Sequence, residues 1–203
     1  MRIIAGSKRG MNLFSPPGWD SRPITDRVKQ SLYDVLQNYD LPAGKTVADI
    51  FAGVGSLGLE ALSRGAAFVT FVEQNPQIAP VLERNIEKAG FGKQSKVIKT
   101  DAFRASWPVD AEHSQSAPAD KYDLAFVDPP YVDSANTQAG APLATLLTRL
   151  SERISAGGFV IVRTHRNTVL SQSYGSLKII ETRQWGNMAV TILKKKIASL
   201  RSQ

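Results

Sequence analysis

Apolar positions along this chain change period several times, and each change marks an element. Val28, Leu32, Val35, Leu36 and Tyr39 recur at helical spacing, which predicts one helix with a single apolar stripe over "TDRVKQSLYDVLQNY". Thr25 stands before it as N-cap, with Asp26 at the positive helix end. From Lys45 onward, short apolar runs alternate with helical stretches. "TVADIF", "AFVTFV", "KVIK", "YDLAFV" and "FVIVRT" predict strands; "SLGLEALSRG", "NPQIAPVLERNIEKAG" and "PLATLLTRLSERI" predict helices. Gly65 stops the first of these helices. Asn75 caps the second, with Pro76 at its first position and Gly90 after its end. Pro80 lacks one helical hydrogen bond, so that helix kinks there or begins later. Gly157 and Gly158 end the third. "KIIETRQW" and "AVTILKK" close the chain as antiparallel partners. At the start, "RIIA" and "MNLF" read as two short strands around a turn at Ser7–Gly10, followed by the Pro/Gly-rich loop "SPPGWDSRP". Residues 104–121 have no usable period and read as a long surface loop.

Strand–helix alternation of this kind means an α/β fold, a mostly parallel sheet with helices on both faces. In such sheets ligands sit beyond the carboxyl ends of the strands, where strand order reverses. The residues that follow each strand are therefore the ones to question. Length agrees with one domain: 203 residues can bury a sizeable core. The reading divides the chain into an N-terminal hairpin-and-loop extension, 1–24, and a main domain, 25–203.

Composition narrows the function classes. Cysteine is absent and the two histidines, His113 and His165, are far apart, so disulfides and a structural zinc site are excluded and no metal is expected. No apolar run reaches the roughly 20 residues of a membrane span, and "MRIIAGSKRG" has no signal-peptide core, so a cytoplasmic protein without membrane contact is expected. The net charge is +7, and its placement matters more than its size. Residues 1–30 hold six lysines and arginines against two aspartates; residues 192–203 hold Lys194, Lys195, Lys196 and Arg201 and no acid. Two basic ends around a nearly neutral body favour a polyanionic partner. The Lys194–Lys196 run by itself reads as a solvated tail.

"FAGVGSLG" contains Gly53, Gly55 and Gly58, a G-x-G-x-x-G turn between a strand and a helix. Dinucleotides and S-adenosylmethionine both use such a turn, and Glu73, at the end of the next strand, suits the ribose of either. Asp49 within the first strand and Asp101 after the third lean toward the sulfonium ligand. Its positive charges tolerate nearby acids, whereas a pyrophosphate is repelled. The rival readings are a loop cap for Asp49 and the N-cap of a short helix for Asp101.

"DPPY" ends a buried run at the same rim. Pro129 and Pro130 offer no backbone donor, so Asp128-Pro129-Pro130 forms a rigid corner of acceptors only. Such a corner suits a donor substrate such as a nucleobase amine, and Tyr131 gives the base a face to stack on. A base in a duplex must be flipped or already unpaired to reach it. Lys8, Arg9, Arg22 and Arg27 are placed to hold the surrounding backbone. The bland alternative is a Pro-rich strand exit with a packing tyrosine.

With these stretches on the page, the chain resembles the RsmD-type 16S rRNA (guanine-N2)-methyltransferases of bacteria. The resemblance runs through "MRIIAGSKRGMNL", "RPITDRVKQSLYDVL", "DIFAGVGSLGLEALSRGA", "FVEQN" and "DPPY". It implies a class I S-adenosylmethionine-dependent methyltransferase fold, Rossmann-like, with an antiparallel last strand. It implies S-adenosylmethionine as cofactor and methyl transfer to a guanine N2 amine of small-subunit rRNA, free or in an assembly particle; a monomer is expected. By motif, Asp49, Phe51, Ala52, Gly53, Gly55, Glu73 and Asp101 line the cofactor; Asp128, Pro129, Pro130 and Tyr131 hold the base; Arg22, Thr25, Asp26 and Arg27 lie near the cofactor or RNA entrance. "FVIVRTHR" departs from the family pattern in lacking an acid after its strand. Competing readings are an adenine or cytosine amino-methyltransferase, a nicotinamide-dependent oxidoreductase, and a non-catalytic RNA-binding module.

Overall fold

The computed structural model describes residues 1–16, 24–104 and 121–197. Most of the expected loop at 104–121, and most of "SPPGWDSRP" with Arg22, lie outside the described residues. In chain order the elements are α1 (Asp26–Gln37), β1 (Thr46–Ile50), α2 (Ser56–Ser63), β2 (Phe68–Val72), α3 (Ala79–Ala89), β3 (Ser95–Ile98), β4 (Tyr122–Val127), α4 (Pro142–Arg153), β5 (Ile154–His165), β6 (Ser173–Tyr174), β7 (Leu177–Trp185) and β8 (Met188–Lys195). The eight strands form one sheet in the order β3-β2-β1-β4-β5-β8-β7-β6. The first five pair in parallel; β8, β7 and β6 add on as an antiparallel flank. The chain runs outward from β1 to β3 and then restarts at β4 on the other side of β1. The strand order therefore reverses between β1 and β4, and a crevice opens beyond their carboxyl ends.

Alternation along the strands sorts two cores. Val47, Leu124, Phe126, Phe159 and Ile161 face α1, α2 and α3. Ala48, Ile50, Ala125, Val127, Val160 and Val162 face α4. These strands are buried on both faces, which is why they read as unbroken apolar runs. The period-2 rule then carries Asp49, Asp128 and Arg163 onto the α1/α2 face, in line with Val47, Phe126 and Ile161.

α1 begins as read: Thr25 Oγ1 accepts the Val28 N–H at 3.3 Å. Its buried face holds Lys29 and Tyr33 besides the apolar stripe, while Tyr39 falls beyond the helix end and packs its ring on Phe159. α3 starts at Ala79, not at Pro76, so Asn75 is not its cap. The Asn75 side chain instead accepts the Gln77 N–H in a preceding turn, and Pro80 falls in the first helical turn, where no backbone donor is missed. α4 ends at Arg153 and β5 follows at once, so Gly157 and Gly158 do not end the helix but lie inside the strand. A Cβ on Gly158 would lie 2.9 Å from the Asp123 carbonyl oxygen, at the register shift between β4 and β5. Gly158 lets the two strands close up. The Lys194–Lys196 run is not a free tail: Lys194 and Lys195 belong to β8, and Lys195 Nζ donates to the Ile154 carbonyl at 2.8 Å.

The N-terminal hairpin expected for 2–14 reduces to a single antiparallel bridge, Arg2 with Asn12, and a short 3-10 turn at Gly6–Lys8. The Ile3, Gly10 and Leu13 N–H groups bond within the segment, but several of its other backbone donors go to helix side chains. The Ile4 and Ala5 N–H groups donate to the two Glu60 oxygens at 2.8 and 3.0 Å, the Lys8 N–H to Ser63 Oγ, and the Phe14 N–H to Asn85 Oδ1. The segment is thereby a strap across α2 and α3. Among the described residues no helix is long and apolar enough to cross a membrane.

Candidate active site

β1 ends in a turn that only particular residues tolerate. Phe51 sits at φ +64, Gly53 at +56 and Gly55 at +88. A left-handed non-glycine residue is uncommon, and the Phe51 ring packs on Phe103 at 5.0 Å between centroids. The three glycines then do different things. A Cβ on Gly53 would meet nothing within 4 Å, so its open side faces the crevice. A Cβ on Gly55 would lie 2.6 Å from Leu82 Cδ1. One on Gly58 would lie 2.3 Å from Phe71 Cε1, so Gly58 sets how closely α2 approaches the sheet. The Gly58→Ala variant is expected to lose about 1–3 kcal/mol of stability by overpacking, measured by urea unfolding.

All three glycine amides are committed within the protein. Gly53 N–H donates to Glu73 Oε2 at 2.8 Å, Gly55 N–H to the Ala52 carbonyl at 2.9 Å, and Gly58 N–H to Asp49 Oδ2 at 2.7 Å. Glu73 also takes the Asn75 N–H on its other oxygen, at 2.8 Å. The carboxylates of Asp49 and Glu73 thus hold two of the glycine amides at the edge of the crevice.

The crevice has a volume of about 660 Å³, within the usual range for a small-molecule site. Asp49, Phe51, Ala52, Gly53 and Glu73 line it from β1 and β2; Asp128, Pro129, Pro130 and Tyr131 line it from the end of β4. The "DPPY" corner and the glycine turn therefore share one wall, as their positions after neighbouring strands require. Gly55 is not in the wall; its place is in the turn beneath. Thr100 and Ala102 line the crevice, while the Asp101 carboxylate accepts the Phe103 N–H at 2.8 Å and pairs with Arg104 at 3.4 Å. This is the local capping that rivalled the ligand reading.

Burial is the main influence on the acids. It pushes the Asp49 carboxyl up to about 8, with Asp128 and Glu73 adding to the rise and the Gly58 N–H opposing it. Burial also raises Asp128, against the opposing pull of Arg163. Arg163 Nε donates to Asp128 Oδ1 at 2.5 Å, and the His165 ring meets Tyr131 edge-on at 5.6 Å between centroids. Neither residue stood out in the sequence. The available signal was position: Arg163 follows the buried run "FVIV" as Asp128 follows "LAFV".

The expected RNA contacts do not gather at one place. Ile24 lines the crevice and Thr25 follows it as the cap of α1, while Arg27 is exposed in the first turn of that helix. Lys8 and Arg9 sit at the far end. Gly6 packs against the Ser63 carbonyl, and Lys8 Nζ lies over the Phe91 ring, beyond the ends of α2 and α3. α2 has eight residues, so that end is roughly 12 Å from the crevice. The turn puts them there because its amides bind Glu60 and Ser63. Met1 completes the crevice wall from the strap.

Comparison with known proteins agrees with the geometry. The family described as "Conserved hypothetical protein 95" matches residues 1–194. "Putative rRNA methyltransferase YlbH" of Bacillus subtilis is 31% identical over 97% of this chain and 100% of its own length. Ribosomal RNA small subunit methyltransferase D of Escherichia coli is 34% identical over 64% of this chain and 60% of that protein. The solved structure of "Putative methyltransferase yhhF" from Escherichia coli superposes with a TM-score of 0.77 at 26% identity, covering 97% of this chain and 98% of that one. The sheet with its antiparallel flank is the Rossmann-like fold of S-adenosylmethionine-dependent methyltransferases.

Proposed function

This chain belongs to the conserved hypothetical protein 95 family, and from that membership we propose that it is an S-adenosylmethionine-dependent rRNA methyltransferase acting on the N2 amine of a guanine in small-subunit rRNA. The observation that carries the reading is the donor set of the crevice. Asp49, Glu73 and Asp128 converge there while the glycine amides are committed internally. A cationic ligand suits that wall; a pyrophosphate meets acids there, and the glycine amides are already bonded, which disfavours the nicotinamide reading. The open side of Gly53 leaves room for the ligand to approach the backbone.

When bound, S-adenosylmethionine supplies an electrophilic methyl group on a sulfonium, and the sulfur keeps the C–S bonding pair after transfer. Asp49 and Glu73 would hold the cationic and ribose parts. Asp128 and the carbonyl oxygens beside Pro129 and Pro130 would accept the hydrogens of the guanine amine. Holding those hydrogens out of the ring plane frees the nitrogen lone pair to form the new N–C bond, and the surplus proton leaves through the Asp128 carboxylate to water. Catalysis is chiefly positioning and acceptor placement. Tyr131 would stack on the base, with Val132 exposed beside it.

Because the Asp49 carboxyl is raised to about 8, it is mostly protonated at neutral pH before ligand binds. A cation favours the ionised form, so binding releases a proton. Affinity for S-adenosylmethionine is expected to rise about tenfold from about pH 6 to about pH 7.5, read by calorimetry, and Asp49→Asn should abolish the slope.

The direct test is methyl transfer from labelled S-adenosylmethionine to unmodified small ribosomal subunits and to naked rRNA, with the nucleoside identified by mass spectrometry. Label on the guanosine N2 amine is the expected result. Label on adenine or cytosine would keep the chemistry and overturn the base. No transfer to either substrate would overturn the activity.

A further inference from the structure

We propose that Arg163 is a positioning residue for the reaction, holding the Asp128 carboxylate ionised and turned so that it can accept the substrate amine. The inference deepens the methyl-transfer reading and rests on it.

The geometry starts from strand register. β4 and β5 run in parallel with Val127 opposite Val162, so Asp128 and Arg163 are the next pair along. Both point to the α1/α2 face, where Nε and Oδ1 lie 2.5 Å apart. Their side chains keep only 17% and 14% of their exposure, so water screens the pair weakly. Two residues further on the same face, His165 meets Tyr131 edge-on at 81°. β5 thus touches both ends of the Asp128–Tyr131 corner and supports it from the side.

The charges around Asp128 explain why the support is needed. Asp49 from β1 and Glu73 after β2 share the crevice wall with it. Tyr131 and Met1 border it, and β5 contributes Arg163 and His165. Burial favours a neutral Asp128 carboxyl, which is a hydrogen-bond donor and the wrong partner for an amine. The Arg163 guanidinium, bonded to one oxygen, opposes protonation, and the second oxygen would accept the substrate amine. A simple packing role would predict something different: a loss independent of pH.

Two readouts separate these. The first needs no substrate: the carboxyl carbon of Asp128, labelled with carbon-13 and assigned by its absence in Asp128→Asn, is titrated in wild type, Arg163→Met and Arg163→Lys. The Met variant is expected to titrate about one pH unit or more higher than wild type, with the Lys variant between them. The second is the pH–rate profile. Arg163→Met should lose about tenfold or more near neutrality and recover much of it at high pH, while the Lys variant keeps more of the rate. A midpoint shared by wild type and Met variant, or a rate loss equal at every pH, would overturn the proposal. So would a Lys variant indistinguishable from the Met variant at both readouts, because charge would then not be the contribution. If the midpoint moves as expected but even the wild type transfers no methyl to RNA, the pairing stands and the activity reading falls.

Discussion

Replacing Asp128 with alanine is expected to lower kcat for methyl transfer by about 10²–10³ while S-adenosylmethionine affinity stays within a few-fold. The carboxylate contacts the substrate amine in this reading, so its loss acts on the reacting nitrogen rather than on cofactor contacts. The magnitude is that of removing one preorganised polar group from a site of charge development. Asp128→Asn separates shape from charge. Its amide keeps one acceptor oxygen but cannot be anionic, so a rate between wild type and the alanine variant is expected. Single-turnover assays with saturating cofactor distinguish the two. An alanine variant with wild-type turnover would show that the corner is only a strand exit.

The second large effect is on stability. Replacing Glu60 with alanine is expected to cost about 3–5 kcal/mol, the range for removing one partner of a buried ion pair. Glu60 is fully buried and has four partners. Its oxygens accept the Ile4 and Ala5 amides, pair with Arg64 at 2.8 Å and lie 3.5 Å from Lys29 Nζ. Lys29 is itself 1% exposed and donates to the Arg2 carbonyl at 2.6 Å. Burial lowers the Lys29 pKa, and Glu60 opposes that fall. With Glu60 gone the folded-state value drops further below that of the unfolded chain. The unfolded state then binds the proton better, so the variant weakens as pH falls and recovers toward alkaline pH. Thermal unfolding across pH checks both size and sign. A loss that is flat with pH would mean the two backbone amides, not the lysine, carry the effect. Because Met1 lines the crevice, a loosened strap should also weaken cofactor binding.

Much of the crevice wall is legible in the amino-acid sequence. "TVADIF" and "YDLAFV" are buried on both faces, so they show as unbroken apolar runs, and whatever follows such a run lies at the carboxyl rim of a parallel sheet. That rule places Asp128 and the glycine turn together. Arg163, which ends the run "FVIV", obeys the same rule, but a basic residue there signals nothing until Asp128 is known to need a partner. Asp101 lies outside the crevice lining for a local reason: a carboxylate two residues before an amide can bond it directly, and a sequence pattern does not distinguish that from a ligand contact.

The N-terminal segment departs from its pattern differently. "RIIA" and "MNLF" have strand composition, and a few of their backbone groups do pair. What decides against a ladder is Glu60, more than fifty residues away, which takes two of the amides. The same anchoring carries Lys8 and Arg9 away from the crevice, so a basic cluster in the sequence is split in space. α3 shows the smaller version: Asn75 and Pro76 carry start signals, yet the helix begins at Ala79, where Pro80 can be accommodated.

By itself, then, the sequence determined the alternation of strands and helices, the glycine turn and the acceptor corner, because each depends on neighbours within a few residues: side-chain period, allowed φ, and missing proline donors. Only the tertiary structure decided which side chains meet. The pairing of Arg163 with Asp128, the strap held by Glu60 and the commitment of the glycine amides to Asp49 and Glu73 all depend on strand order and on contacts between residues far apart in the chain. Local periodicity carries no record of those distances; the packed sheet sets them.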